Sequence, residues 1–204
     1  TAMAVSLGLY GGAAIIHRYN SIQQQADIIT MARQIAEHDH NKQIVLGAAV
    51  GITDDYLNRA AVLSALGVNF LCVDVAHGHH VLMKEALQTL RHKLGPDIHI
   101  MAGNVATIDG INDLADWGAD SVRCNIGGGS ICSTRIETGH GVPGFQTILD
   151  CNATDRDVTI IADGGIRNSG DMVKALAAGA DCIMCGSILS GTDETPGTVF
   201  EESD

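Results

Sequence analysis

The feature that most constrains the fold is a recurrence. Seven short apolar runs, at 13–16, 44–49, 70–73, 98–102, 121–124, 160–162 and 182–185, begin between 22 and 39 residues apart. Each has the length and apolarity of a strand buried on both faces. The spacing is that of one strand plus one helix, too long for hairpins and wrong for a sandwich. Helical patterns fill the gaps at 53–66, 80–93, 108–117 and 169–178, several opening on a Thr, Ser or Asp that can cap a first turn. Repeated βα units close into a barrel of eight or spread into a doubly wound sheet. No Gly-x-Gly-x-x-Gly follows an early strand, whereas Asp163-Gly164-Gly165 and Gly186-Ser187 follow the last two runs, where barrels place phosphate sites. The expectation is therefore an α/β chain forming a trimmed (β/α)8 TIM barrel, one domain over residues 1–204. Counting back from strands seven and eight makes 13–16 the second strand and places the first before Thr1.

Composition agrees. Twenty-four Gly, three Pro and seven aromatics leave a core of Ala, Val, Ile and Leu in close helix-to-sheet approach. A net charge of −12 argues against nucleic acid or anionic lipid as partner, because both are gripped by clustered Lys and Arg. Apolar stretches stay well short of the roughly 18 residues of a membrane span, so the chain reads as soluble with no membrane partner. Six cysteines in such a chain read as reduced thiols of a cytoplasmic protein.

The segment NIGGGSICSTR at 125–135 sets three glycines, a Ser and a Cys in a row after the fifth run. Without Cβ obstruction its backbone can approach a ligand, Ser130 offers a hydroxyl, and Cys132 is a candidate nucleophile on the face where barrel chemistry is done. The alternative is a flexible turn with an inert Cys. The tract His77-Gly78-His79-His80 has no carboxylate or Cys at ligand spacing in its loop and does not read as a metal site.

These residues resemble the family of inosine 5′-monophosphate dehydrogenases and guanosine 5′-monophosphate reductases. The signature G-x-G-S-[IV]-C-x-T-[RK] stands here as Gly127, Gly129, Ser130, Ile131, Cys132, Thr134 and Arg135. Further matches follow in family order: AGNVAT at 102–107, IADGGIR at 161–167, SGD at 169–171, KALAAGA at 174–180 and GSILSGT at 186–192. The resemblance implies a barrel that binds a purine nucleoside monophosphate and attacks its C2 with Cys132, assisted by Thr134. It implies Ser130, Gly165, Gly186 and Ser187 at the phosphate and Asp163 at the ribose. Asp74 and Asn104 would hold the dinucleotide, and the carbonyls of Gly127, Gly129 and Cys132 would hold K+. The family assembles as homotetramers.

Two departures stand out. Gly128 occupies a position where Pro is frequent, and Asn125 one where Gly is usual, which sets a side chain where it could crowd the nicotinamide. The segment 18–43 is too short for the pair of regulatory nucleotide-binding modules that many of the dehydrogenases carry, and the family's C-terminal flap is not in the chain. The favoured reading is NAD-dependent oxidation of IMP to XMP in guanine nucleotide biosynthesis, in part because no Arg or Lys neighbours Asp74 in sequence to receive the extra phosphate of NADP. NADPH-dependent reduction of GMP is the runner-up, and a catalytically silent nucleotide-binding barrel the third reading.

Overall fold

The structure is a computed structural model describing residues 1–198. The chain runs α1 (Ala2–Leu9), β1 (Ala13–Ile16), α2 (Ile22–His40), β2 (Val45–Val50), α3 (Tyr56–Ala65), β3 (Phe70–Asp74), α4 (Val81–Leu94) and β4 (His99–Val105). It continues α5 (Ile108–Asp116), β5 (Ser121–Cys124), α6 (Thr134–Thr138), α7 (Gly144–Cys151), β6 (Thr159–Asp163), α8 (Ser169–Ala177) and β7 (Cys182–Met184), then a 3-10 turn at Ser187–Leu189. All seven apolar runs are strands within a residue or a few of their expected bounds.

The strands form one parallel sheet in strict sequence order, β1 to β7. Crossovers between parallel strands are right-handed, so stepping always to the next neighbour puts every helix on the same face. That is the geometry of a sheet curling toward a barrel; a doubly wound sheet needs the order to reverse. Among the described residues β1 and β7 remain the two edges, so the observed architecture is a seven-stranded parallel α/β sheet and eightfold closure is not seen.

Two apolar layers follow from the period-2 alternation of the strands. Helix-facing residues such as Ile16, Leu46, Val50, Leu71, Val73, Ile100, Val122 and Ile160 pack against Ile29, Leu63, Leu87, Leu90 and Leu114 of the helices. Phe70, Cys72, Met101 and Ile161 form a smaller cluster on the opposite face. Gly47 makes room for it, since a Cβ there would collide with the Phe70 ring.

The opposite, N-terminal edge of the sheet repeats one device three times. Helices α3, α5 and α8 are each followed by a glycine with positive φ, Gly67 at 74°, Gly118 at 111° and Gly179 at 108°. Two residues later Asn69, Asp120 or Asp181 accepts a backbone N–H from the preceding strand: Leu46 at 2.9 Å, Ile100 at 2.7 Å and Ile160 at 2.8 Å. The left-handed glycine turns the chain back under the sheet, and the polar side chain satisfies an N–H that burial would otherwise leave unpaired.

Four helices lie outside the four patterns given above: α1, α2, α6 and α7. The signal for α2 was present in Ser21-Ile22-Gln23-Gln24, which forms a capping box: Gln24 N donates to Ser21 Oγ at 3.1 Å and Ser21 N to Gln24 Oε1 at 3.0 Å. The pattern at 53–66 starts late, at Tyr56, because Asp54 adopts φ 57°, outside the helical region. No helix of the described residues is long and apolar enough to cross a membrane.

Candidate active site

At the C-terminal ends of β3 to β6 two clefts adjoin. The larger, of about 590 Å3, is lined by Ser130, Asp163, Gly165 and Ser187, with Arg135, Arg167 and Lys174 at its wall. The smaller, of about 250 Å3, is lined by Asp74, Asn104, Arg123, Gly127, Gly129, Cys132, Thr134 and Asp163. Asn125, Gly128, Asp163 and Gly164 belong to both. Of the residues expected at a site only Gly186 lies outside the linings, and it immediately precedes Ser187 at the 3-10 turn.

Cys132 is half-buried, and its Sγ lies 3.3 Å from Thr134 Oγ1. The Thr134 side chain and backbone hold this thiol below the ordinary thiol range, with the Arg135 charge and the Gly127 backbone assisting and burial opposing. Other thiols differ: Cys151 is also lowered, by its hydrogen bond with Cys124, but is fully buried. Cys72 is fully buried and pushed up to about 12 by desolvation, and burial also raises the half-buried Cys185. A nucleophile needs an accessible thiolate, and Cys132 combines a lowered thiol with exposure that the buried Cys151 lacks. All six cysteines are free, including Cys182 and Cys185.

The turn after β6 is built for close approach. Gly164 and Gly165 have φ of 82° and 77°, a conformation that glycine holds without steric cost, and both line the larger cleft. A Cβ on Gly164 would stand 3.1 Å from Gly129 N, so the nucleophile loop and this turn touch backbone to backbone. The cationic rim of the cleft was not anticipated. Arg167 and Lys174 lie 3.9 Å and 3.8 Å from Asp171, and Arg135 Nη2 donates to Val142 O at 2.8 Å.

Asp74 and Asp163, from β3 and β6, meet a residue that sequence reasoning missed. Arg123 on β5 is buried; its Nη2 donates to Asp74 Oδ1, and its Nη1 lies 3.8 Å from Asp163 Oδ2. This overturns the expectation that no cation stands beside Asp74. Arg18 Nη2 also donates to the Asp74 carbonyl, at 3.4 Å. Neighbours in sequence were the wrong place to look, because β3 and β5 are two strands apart and both present residues to the same interior. The signal was an Arg inside the four-residue apolar strand SVRC, where a charge persists only if paired.

Asn104 lines the cleft with Asp74 but is tied elsewhere: its Nδ2 donates to Asp163 Oδ2 at 2.8 Å and to Asn125 O at 2.9 Å. The Asn125 side chain is engaged within the protein. Its Nδ2 turns beneath the loop to donate to Asp163 O at 2.8 Å and Gly164 O at 3.2 Å.

The carbonyls of Gly127, Gly129 and Cys132 offer neutral oxygens of the kind a monovalent cation takes, and Gly129 O, which accepts Cys132 N at 3.1 Å, keeps a second lone pair. Among the described residues no three His, Cys, Asp or Glu side chains come together as a metal site. The histidine tract has other duties: His79 Nε2 pairs with Asp113 at 2.7 Å, and His80 Nδ1 accepts Leu82 N at the start of α4.

Comparison with known proteins places this geometry. A family model described as IMP dehydrogenase / GMP reductase domain matches residues 1–203. An inosine-5'-monophosphate dehydrogenase of Nitrosopumilus maritimus is 46% identical over 172 residues, 82% of this chain and 36% of that protein. A GMP reductase of Leishmania donovani is 42% identical over 180 residues, 86% of this chain and 37% of that protein. The crystal structure of an inosine 5' monophosphate dehydrogenase from Legionella pneumophila superposes with a TM-score of 0.87 at 43% identity, covering 98% of this chain and 58% of that one. The chain spans about a third of the length of the curated relatives it matches.

Proposed function

The chain belongs to the IMP dehydrogenase / GMP reductase family, and from that premise we propose that it oxidises IMP to XMP with NAD, in guanine nucleotide biosynthesis. The observation that carries the reading is the thiol of Cys132, held low by Thr134 at 3.3 Å, on a loop in backbone contact with a double-glycine turn. In this reading Ser130, Gly165, Gly186 and Ser187 take the phosphate and Asp163 takes the ribose hydroxyls, with Asn104 orienting the Asp163 carboxylate. The Cys132 thiolate adds to purine C2. Asp74 would hold the ribose of NAD, which when bound would supply the hydride acceptor. Thr134 steadies the sulfur and then the water that hydrolyses the adduct. K+ at the carbonyls of Gly127, Gly129 and Cys132 would order the loop. Eightfold closure of the barrel, homotetrameric assembly and a cytoplasmic setting belong to the same reading.

Mass spectrometry of the chain mixed with IMP and NAD tests it: a nucleotide adduct on Cys132 is expected, and turnover with no adduct on any cysteine would overturn the covalent step. GMP reduction with NADPH remains the second reading, favoured by the 42% identity to a protein named GMP reductase and by Arg123 beside Asp74. Because Arg123 already faces two carboxylates, its charge is largely matched, and oxidation with NAD keeps precedence. Following reduced nicotinamide by absorbance decides: a signal that falls with GMP and NADPH, and never rises with IMP and NAD, reverses the assignment.

A further inference from the structure

We propose that Asn125 is a positioning residue that locks the Cys132 loop onto the turn after β6, and that Gly128 lacks a side chain because Asn125 occupies its place. The inference rests on the reading of Cys132 as nucleophile.

Asn125 is 5% exposed and holds φ at 129°, a left-handed conformation that a residue with a Cβ keeps only when its surroundings impose it. The imposing contacts are those of its amide nitrogen with Asp163 O and Gly164 O, and of its own carbonyl with Asn104 Nδ2. Among the described residues the buried amide oxygen has no partner, so the contacts of the nitrogen orient the group. Above it lies Gly128, where any Cβ would collide with the Asn125 amide. Beside it lies Gly144 at the start of α7, where a Cβ would stand 3.1 Å from Asn125 Nδ2. One side chain thus gathers the nucleophile loop, the double-glycine turn and the first residue of α7. Because Asn125 and Gly128 also line both clefts, a shift here moves the phosphate side and the thiol side together.

The test is a double-mutant cycle between Asn125→Gly and Gly128→Ala in the full chain, read by the rate at which iodoacetamide alkylates Cys132. No turnover is needed, so an inactive chain and a wrong assignment of Asn125 are told apart. In the Asn125 background, Gly128→Ala is expected to change the alkylation rate by about tenfold, in the range of coupling between contacting residues. With Gly at 125 the same change is expected to have less than about a twofold effect, since the colliding amide is gone. Equal effects in both backgrounds, or no effect in the first, would overturn the proposal. If Gly128→Ala alone fails to melt cooperatively, recovery of folding in the double variant supports it, and failure of both variants overturns it.

Discussion

The two ends of the sheet use the same residue types for opposite purposes. At the N-terminal edge Asn69, Asp120 and Asp181 each accept a strand N–H, and the device repeats after three helices. At the C-terminal edge Asp74, Asn104, Asn125 and Asp163 gather around Arg123 and the walls of two clefts, and no arrangement occurs twice. Repetition marks groups whose work is to satisfy the backbone. Singularity marks groups held ready for something else. An Asp or Asn in this chain therefore carries no functional meaning by type; its end of the strand supplies it.

The largest effect that sharpens the contrast is loss of the nucleophile. Cys132→Ala should abolish turnover while leaving IMP binding and the melting temperature close to native; near-native activity would remove the C-terminal edge from the chemistry. Next comes the floor of the site. Arg123→Met removes the cation that Asp74 and Asp163 share and should cost about 3 kcal/mol in urea unfolding, toward the lower end for a broken buried pair because both carboxylates are partly exposed.

Ser187→Ala should weaken IMP by about 2 kcal/mol, the value of a hydrogen bond to a charged group, and leave inosine binding unchanged in calorimetry. Equal losses for both ligands would place the phosphate elsewhere. At the other end, Asp120→Ala leaves Ile100 N–H without its acceptor and should lower stability by roughly 1 to 2 kcal/mol with no change in nucleotide affinity. A binding defect there would break the division between the two ends.

The smallest effect is in pH. Because the Cys132 thiol is held below the ordinary range, its alkylation should persist at pH values where an ordinary thiol is protonated and unreactive, and should fade only as pH drops through the lowered value. Thr134→Val removes the hydroxyl and should move that midpoint up. Cys72, at about 12, should stay unlabelled in the folded chain at every pH where Cys132 reacts.

What the sequence determined by itself was everything carried by short range. The βα period, the seven strands and the steric openness of the glycine-rich loop are set by apolar runs, propensity and local steric freedom, which act within a strand or a turn. Even the missed helix α2 had its capping box in four consecutive residues. The tertiary structure alone decided which polar groups meet. Arg123 and Asp74 are 49 residues apart, and Asn104 and Asp163 are 59 apart. Their pairing depends on the order and register of four parallel strands, and no local pattern encodes it. For the same reason Asn125 and Gly128 read in sequence as two separate oddities. Only the packed loop, where one side chain fills the space the other residue leaves open, makes them a single feature.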